Sequence, residues 1–418
     1  MTACSEKLQF AAYVTESAWA ENSTDMTSAQ RIPTTALFNL DGIRQSILMS
    51  ERTVQYRNEV PVGITGPWDN AEFTIKFELT GHGSTTASGI TVGAVENLLG
   101  WGMGCTAVRT SNSGDTIGGV STATNLSTTA ANGFSVNGEG GLFRVGVKND
   151  GRADGQWSVV DAHSSNALTT KVALPATVAT SALPDVVYSA VNMFTVESTC
   201  AVTSQRFILK TADLQVVAHG CFVKACSLTG YNTGEVGQCE LTIGVSWAEP
   251  VSTTFPDTAA TAAWTFNPAP NAAGYWNLQD YGTTTRNVVQ VRSATINYTR
   301  GIVPLPGQGV NVYQKWVGAS QTPDQIRVSL VVDAAGASAT PTWYTKARAQ
   351  TPQHLLCPLS VSDGSAVCIY FPRLVWAEQV PMQTAVDGLN RVTLQFAASA
   401  DTTGGSELER SAMRIAFA

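Results

Sequence analysis

The sequence predicts a mainly β protein of two tandem β-sandwich units with a short helix each, and three observations carry that expectation. Phe73-Thr74-Ile75-Lys76-Phe77-Glu78-Leu79 alternates, with Phe73, Ile75, Phe77 and Leu79 on one side and Thr74, Lys76 and Glu78 on the other, which is the two-residue period of a half-buried strand. The pattern returns at Ile326-Arg327-Val328-Ser329-Leu330-Val331-Val332-Asp333, and the strand Cys239-Glu240-Leu241-Thr242-Ile243-Gly244-Val245-Ser246-Trp247 finds its counterpart in Arg391-Val392-Thr393-Leu394-Gln395-Phe396-Ala397-Ala398. Charged residues make up only 14% of the chain, against a usual quarter, while Thr, Ser, Ala, Val and Gly abound. A duplicated β unit with so little surface charge reads as a building block whose faces are covered by neighbours.

At 418 residues the chain exceeds what one core serves, so two or three domains of roughly 100–200 residues are expected. Residues 1–35 are polar and turn-rich and read as an extended N-terminal arm reaching towards another subunit. Residues 36–250 form the first β domain. Within it, residues 91–103 are the helix candidate, with Val92, Val95, Leu98 and Leu99 at helical spacing, Thr91 as N-cap and Gly100 as a stop. Residues 105–137, rich in Ser, Thr, Gly and Asn, read as a surface excursion or loosely structured insertion with no counterpart in the second half. The run from His219 to Gly230 leads through a Gly-containing turn into the strand at 239–247, the pattern of an antiparallel hairpin. Residues 251–286, with Pro256, Pro268 and Pro270, read as a linker, and 287–418 as the second domain. There the run Cys368-Ile369-Tyr370-Phe371-Pro372-Arg373-Leu374-Val375-Trp376 matches the upstream hairpin member, and Pro372 inside it predicts an edge or a bulge.

A net charge of −7 argues against tight binding of nucleic-acid phosphates, which takes a dense Lys/Arg face. No stretch approaches the ~20 apolar residues of a membrane span, and Met1-Thr2-Ala3-Cys4-Ser5-Glu6-Lys7 lacks signal-peptide character, so folding in a cytoplasm is expected. The eight cysteines include no Cys-x-x-Cys pair, which points to buried thiols rather than a metal site. Four scattered histidines, the absence of a phosphate loop and the absence of a nucleophile elbow predict no catalytic residue, cofactor or metal. Glu235, beside Gly234, reads as a solvated turn residue. Trp68, Trp101, Trp157, Trp247, Trp264, Trp276 and Trp376 read as core or interface anchors, or alternatively as the lining of a sugar-binding groove.

The order of motifs resembles the tail tube proteins of long-tailed bacteriophages, the siphovirus type, in their two-domain form. The resemblance runs through Tyr13-Val14-Thr15-Glu16-Ser17-Ala18-Trp19, Gly66-Pro67-Trp68-Asp69, Val95-Glu96-Asn97-Leu98-Leu99-Gly100, Met193-Phe194-Thr195-Val196-Glu197, Gly220-Cys221-Phe222-Val223 with Gly234-Glu235, and Ile369-Tyr370-Phe371-Pro372-Arg373 to Phe396-Ala397-Ala398-Ser399-Ala400-Asp401. It covers most of the chain, and the stretch 105–137 departs from it.

The resemblance implies a structural virion protein without enzyme activity: a major tail tube subunit, assembled in the host cytoplasm, forming stacked rings whose sheets join around a lumen that passes double-stranded DNA. Three chains per ring are implied if both units line the lumen, and six if only one does. Implied partners are other copies of the chain, the tape measure protein during assembly, and the tail terminator and distal tail proteins, with DNA in transit and no membrane. Lumen-facing candidates are Thr74, Lys76, Glu78, Arg327, Ser329 and Asp333; inter-ring candidates are Pro61, Gly66, Pro67 and Trp68, in the loop 58–70. Two other classes stay open: a carbohydrate-binding or adhesin β-sandwich, and a capsid or decoration protein of the same virus.

Overall fold

The chain, described here as a computed structural model, is mainly β with large antiparallel sheets. The structure describes residues 10–21, 23, 25, 29–32, 43, 45–50, 62–68, 71–79, 94–109, 115–116, 122–127, 140–145, 155–164, 167–174, 186–189, 191–195, 202–211, 215–229, 235–252, 276–307, 316–322, 324–333, 339–359, 366–377, 383–386, 389–401, 403 and 407–417. The first half opens with β1 (Phe10–Thr15), β2 (Gln30–Ile32), β3 (Gln45–Ser50), β4 (Val62–Trp68), β5 (Glu72–Glu78) and α1 (Ala94–Met103). An insertion follows, with β6 (Cys105–Arg109), β7 (Asp115–Thr116), β8 (Asn125–Ser127), β9 (Leu142–Val145), β10 (Trp157–Ser164), β11 (Ala167–Thr170), β12 (Val186–Ser189) and β13 (Val191–Thr195). The first half resumes with β14 (Gln205–Lys210), β15 (Gln215–Thr229), β16 (Gln238–Gly244) and β17 (Trp247–Pro250). The second half holds β18 (Asn277–Asp280), β19 (Val291–Thr299), β20 (Ile302–Pro306), β21 (Trp316–Gln321), β22 (Gln325–Asp333), α2 (Ala339–Arg348), β23 (Gln353–Pro358), β24 (Val367–Trp376), β25 (Gln383–Val386), β26 (Leu389–Ser399), α3 (Glu407–Arg410) and β27 (Arg414–Phe417).

Strand pairing establishes the repeat that alternation suggested. β5 pairs with β16 and β16 with β15; β22 pairs with β26 and β26 with β24. β14 and β17 flank the start of β15 as β23 and β27 flank the start of β24. Each long strand therefore exchanges one set of neighbours for another along its length, and a bulge lies at the change. In β15 the extra residue falls between Ala218 and Cys221, opposite Gln205 and Phe207. Gly220 there has φ 60°, and a Cβ on it would lie 2.5 Å from the Ser246 hydroxyl, so both backbone and space call for glycine. In β24 the extra residue falls between Phe371 and Leu374, the place of Pro372, as its lack of an N–H predicts.

The halves do more than repeat. β19 pairs with β22 of its own half along one edge and with β15 of the first half along the other. One antiparallel sheet thus runs β5, β16, β15, β19, β22, β26, β24 across both units. Its inner face carries Phe73, Ile75, Phe77, Leu241, Ile243, Leu228, Ile296, Val328, Leu330, Leu394 and Phe396, all buried in a single core with Leu98, Leu99 and Met103 of α1. Each such side chain contributes about 1.5–3 kcal/mol on burial.

Four expectations are corrected. Residues 10–32 are not merely an extended arm: β1 pairs with β14 and with β2, and Ala11, Ala12 and Tyr13 are buried. The C-terminal part of the 251–286 linker is structural, since Trp276 is buried and β18 pairs with β23 as β1 pairs with β14. α1 runs through Gly100 and ends at Gly104, φ 60°, because Gly100 is buried against the sheet while Gly104 faces the Arg300 guanidinium, 2.7 Å from where a Cβ would stand. The insertion is larger and more ordered than a loose excursion. β7, β12, β9, β10, β11 and β8 form a sheet around Leu126, Phe143, Val145, Val160, Leu168 and Leu174. It docks on the second unit, with Leu142, Trp157, Val159 and Val172 packed on Leu356, Cys368, Tyr370 and Ala416, and with β13 pairing to both β6 and β27. Arg414 locks this seam, donating from Nη1 to the Gly140 carbonyl at 2.6 Å with its guanidinium over the Tyr370 ring.

Candidate assembly surface

The outer face of the shared sheet is largely polar. One row of directly opposed residues crosses every strand: Lys76, Glu240, Ser227, Asn297, Arg327, Ala397 and Val375. A second row joins Thr74, Thr242, Ala225, Thr299 and Gln325, and a third Thr295, Ser329 and Gln395. Opposed residues share a face, so the structure puts Thr74, Lys76, Glu78, Arg327, Ser329 and Asp333 on one continuous surface. Thr74 and Arg327 are exposed and the other four half-buried. Residues missed by sequence reading complete it: Ser227 donates to the Asn297 side-chain carbonyl at 3.0 Å across the join of the two units, and Asp333 pairs with Arg292 at 2.5 Å and Arg391 at 3.9 Å. These strands carry Lys76, Lys224, Arg292, Arg327, Arg373 and Arg391 against Glu72, Glu78, Glu240 and Asp333, with Lys224 paired to Glu72 at 2.8 Å.

The join is reinforced behind the sheet. α1 has no basic residue in its last turn, and its terminal carbonyls, which a helix leaves without internal partners, are met by the second unit. Arg300 Nη1 donates to the Trp101 carbonyl at 2.7 Å. The Tyr298 hydroxyl lies 2.6 Å from the Met103 carbonyl and also contacts Asp324, whose other oxygen accepts from the Gly301 amide at 2.7 Å. The end of α2 is closed within its own unit. Lys346 and Arg348 stand in its last turn, Lys346 pairs with Asp280 at 2.7 Å, and the amides of Gln350 and Thr351 return to the carbonyls of Ala347 and Lys346.

Both ends of the shared sheet are open among the described residues. β5 pairs with β16 alone and β25 with β26 alone. Each unit also carries a separate two-stranded hairpin, β3 with β4 and β20 with β21. Val303 and Leu305 of β20 are 49% and 45% exposed, unusual for apolar residues on a ribbon that is marginal alone. Of the inter-ring candidates, Gly66, Pro67 and Trp68 belong to β4, and Pro61 lies outside the described residues.

The remaining chemistry is internal. Glu16, buried, accepts from the amides of Ala20 and Gly220 at 3.0 and 3.1 Å and from the Ser204 hydroxyl, binding the N-terminal segment to β15. Burial raises its pKa, and those hydrogen bonds partly offset the rise. His219 stacks on Trp247, rings 3.8 Å apart. Burial lowers its pKa to about 3, so it is neutral despite Glu16 at 4.0 Å. Cys221, Cys239, Cys357 and Cys368 are buried thiols that burial pushes well above their usual range, which makes them poor nucleophiles. Trp101, Trp157, Trp247, Trp276 and Trp376 are core residues, so they line no sugar groove; Glu235 is exposed. Among the described residues no three His, Cys, Asp or Glu side chains cluster to hold a metal ion, and no helix is long and apolar enough to cross a membrane. The sequence matches no protein-family model and no curated protein, so any functional reading rests on the residues and their geometry.

Proposed function

We propose that this chain is a structural virion protein, the major tail tube subunit of a long-tailed phage, polymerising as stacked rings that conduct double-stranded DNA. The observation that carries the reading is the sheet shared by two fused units, apolar on one face and Thr-, Ser-, Asn- and Gln-rich on the other. A conduit wall needs such a surface, because guanidinium- or ammonium-rich walls would hold the phosphates that must slide past. Here Lys224, Arg292 and Arg391 of the shared strands stand in ion pairs with Glu72 and Asp333, and the hydroxyls and amides are neutral.

Since both units contribute to one sheet, both line the lumen in this reading. Three chains then supply the six units that the resemblance implies for a ring. The hairpins β3–β4 and β20–β21 reach the next ring, where the exposed Val303 and Leu305 would be covered. Electron microscopy of concentrated protein tests this: end-on views are expected to show rings of six similar lobes built from three chains. A chain that remains monomeric, together with virions whose tail shaft lacks it, would overturn the reading, and labelling of heads instead of shafts would favour a capsid or decoration role.

A further inference from the structure

Two thiols meet in the core beside the join of the units. Cys226 of β15 and Cys239 of β16 stand with their Sγ atoms 3.5 Å apart, and both are buried. Cys226 lies opposite Leu241 and Cys239 opposite Leu228, so the two are diagonal neighbours on the apolar face, close enough for side chains to touch. On the flanking strands, Tyr298 of β19 stands opposite Cys226 and Phe77 of β5 opposite Cys239.

The other described thiols are placed differently. Cys221 Sγ donates to the Ala218 carbonyl at 3.4 Å and Cys368 Sγ to the Ile369 carbonyl at 3.8 Å. Cys357 and Cys368 lie on paired strands, yet Cys357 belongs to the core of the shared sheet and Cys368 to the seam with the insertion. A role as small apolar filler accounts for each of these three. It gives no reason for two sulfurs to be in contact.

We propose that Cys226 and Cys239 form a disulfide site: two thiols where the surroundings are reducing, and a covalent staple between β15 and β16 where a small-molecule disulfide serves as oxidant. A disulfide spans about 2.05 Å between sulfurs, so closure from 3.5 Å asks the side chains to approach by roughly 1.5 Å. One cysteine gives its proton to solvent, and its thiolate attacks a sulfur of the small disulfide, breaking that S–S bond and releasing one small thiol. The second cysteine, deprotonated in turn, attacks the protein sulfur of the mixed disulfide and releases the second small thiol. The protein loses two hydrogens with their electrons, and the small disulfide gains them.

Burial and then the Cys226 thiol push the Cys239 pKa well above its usual range, and the thiolate is the reacting form. The first step therefore waits for local opening of the β15–β16 pair, after which the fold returns the second sulfur to its neighbour. Along Ala225–Leu228, β15 carries β16 on one edge and β19 on the other. The staple thus ties down the strand on which the two units meet. Neither the chemistry nor its test depends on the tube reading.

Full-length protein incubated natively with oxidised glutathione in mildly alkaline solution, then mapped by mass spectrometry of peptides kept unreduced, tests the site. Peptides joined through Cys226 and Cys239 are expected, and dithiothreitol is expected to separate them. The bridged residues are 13 positions apart in the chain, and closing a loop of that size is expected to raise Tm by roughly 2–4 °C. Cys226→Ala is expected to fold and to lose the bridge and the Tm rise together. Recovery of Cys226 and Cys239 as separate thiols, or each carrying its own glutathione, would overturn the proposal. So would a bridge that leaves Tm unchanged or lowers it, or a Tm rise that survives in Cys226→Ala.

Discussion

Buried single residues set the pH response. His219 and His354 are neutral in the fold, with pKa values lowered chiefly by burial to about 3 and about 4, while in the unfolded chain both take up a proton below about 6.5. A depressed imidazole pKa means that acid favours the unfolded state. Stability present above pH 6.5 is therefore lost as pH falls towards 4, by up to about 1.4 kcal/mol per pH unit for each histidine. Glu16, whose pKa burial raises, works the other way and softens the loss. Urea midpoints at pH 7 and pH 5 check the slope, which His354→Gln is expected to reduce by about half. Gly104 gives a second test: any side chain would occupy φ 60° and stand 2.7 Å from the Arg300 guanidinium. Gly104→Ala is expected to cost about 1–3 kcal/mol, measured as a fall in Tm.

Strands obey the alternation that marks them in the sequence. Phe77 is fully buried and its neighbour Lys76 is not. Phe77→Ala is expected to destabilise the protein by about 3–5 kcal/mol, and Lys76→Thr by less than about 0.5 kcal/mol; denaturant unfolding of the two variants compares them. β5, β22, β16 and β26 were legible because a period of two is local information, and α1 because Leu98 and Leu99 fall at helical spacing. β1, with the sequence Phe-Ala-Ala-Tyr-Val-Thr, and β18, with Asn-Leu-Gln-Asp, were not legible as core strands. Neither alternates clearly, and each becomes a strand by lying against β14 or β23. The extent of the insertion escaped for a related reason: β7 and β8 span two and three residues, too short for a period to show. Its docking residues, Trp157 and Tyr370, lie far apart in the chain.

At the scale of the molecule, the continuous polar face is what the proposed conduit depends on. Thr242→Lys with Ser329→Lys adds two cations to that face without touching the core beneath it. The doubly substituted protein is expected to fold and to form rings, while DNA release from particles carrying it slows and becomes more sensitive to salt. Ejection rates measured at two ionic strengths check this, and unchanged rates would remove the lumen assignment of the face.

The amino-acid pattern alone determined the β class, the duplicated strands, the side of each that is buried, and the polar side of each alternating strand, Thr74, Lys76 and Glu78 on one and Arg327, Ser329 and Asp333 on the other. Only the tertiary structure decided that β19 lies between β15 and β22, so that the two units share one sheet. Periodicity records what each strand buries, whereas pairing between distant strands depends on which hydrogen-bonding edges remain free once the chain has folded.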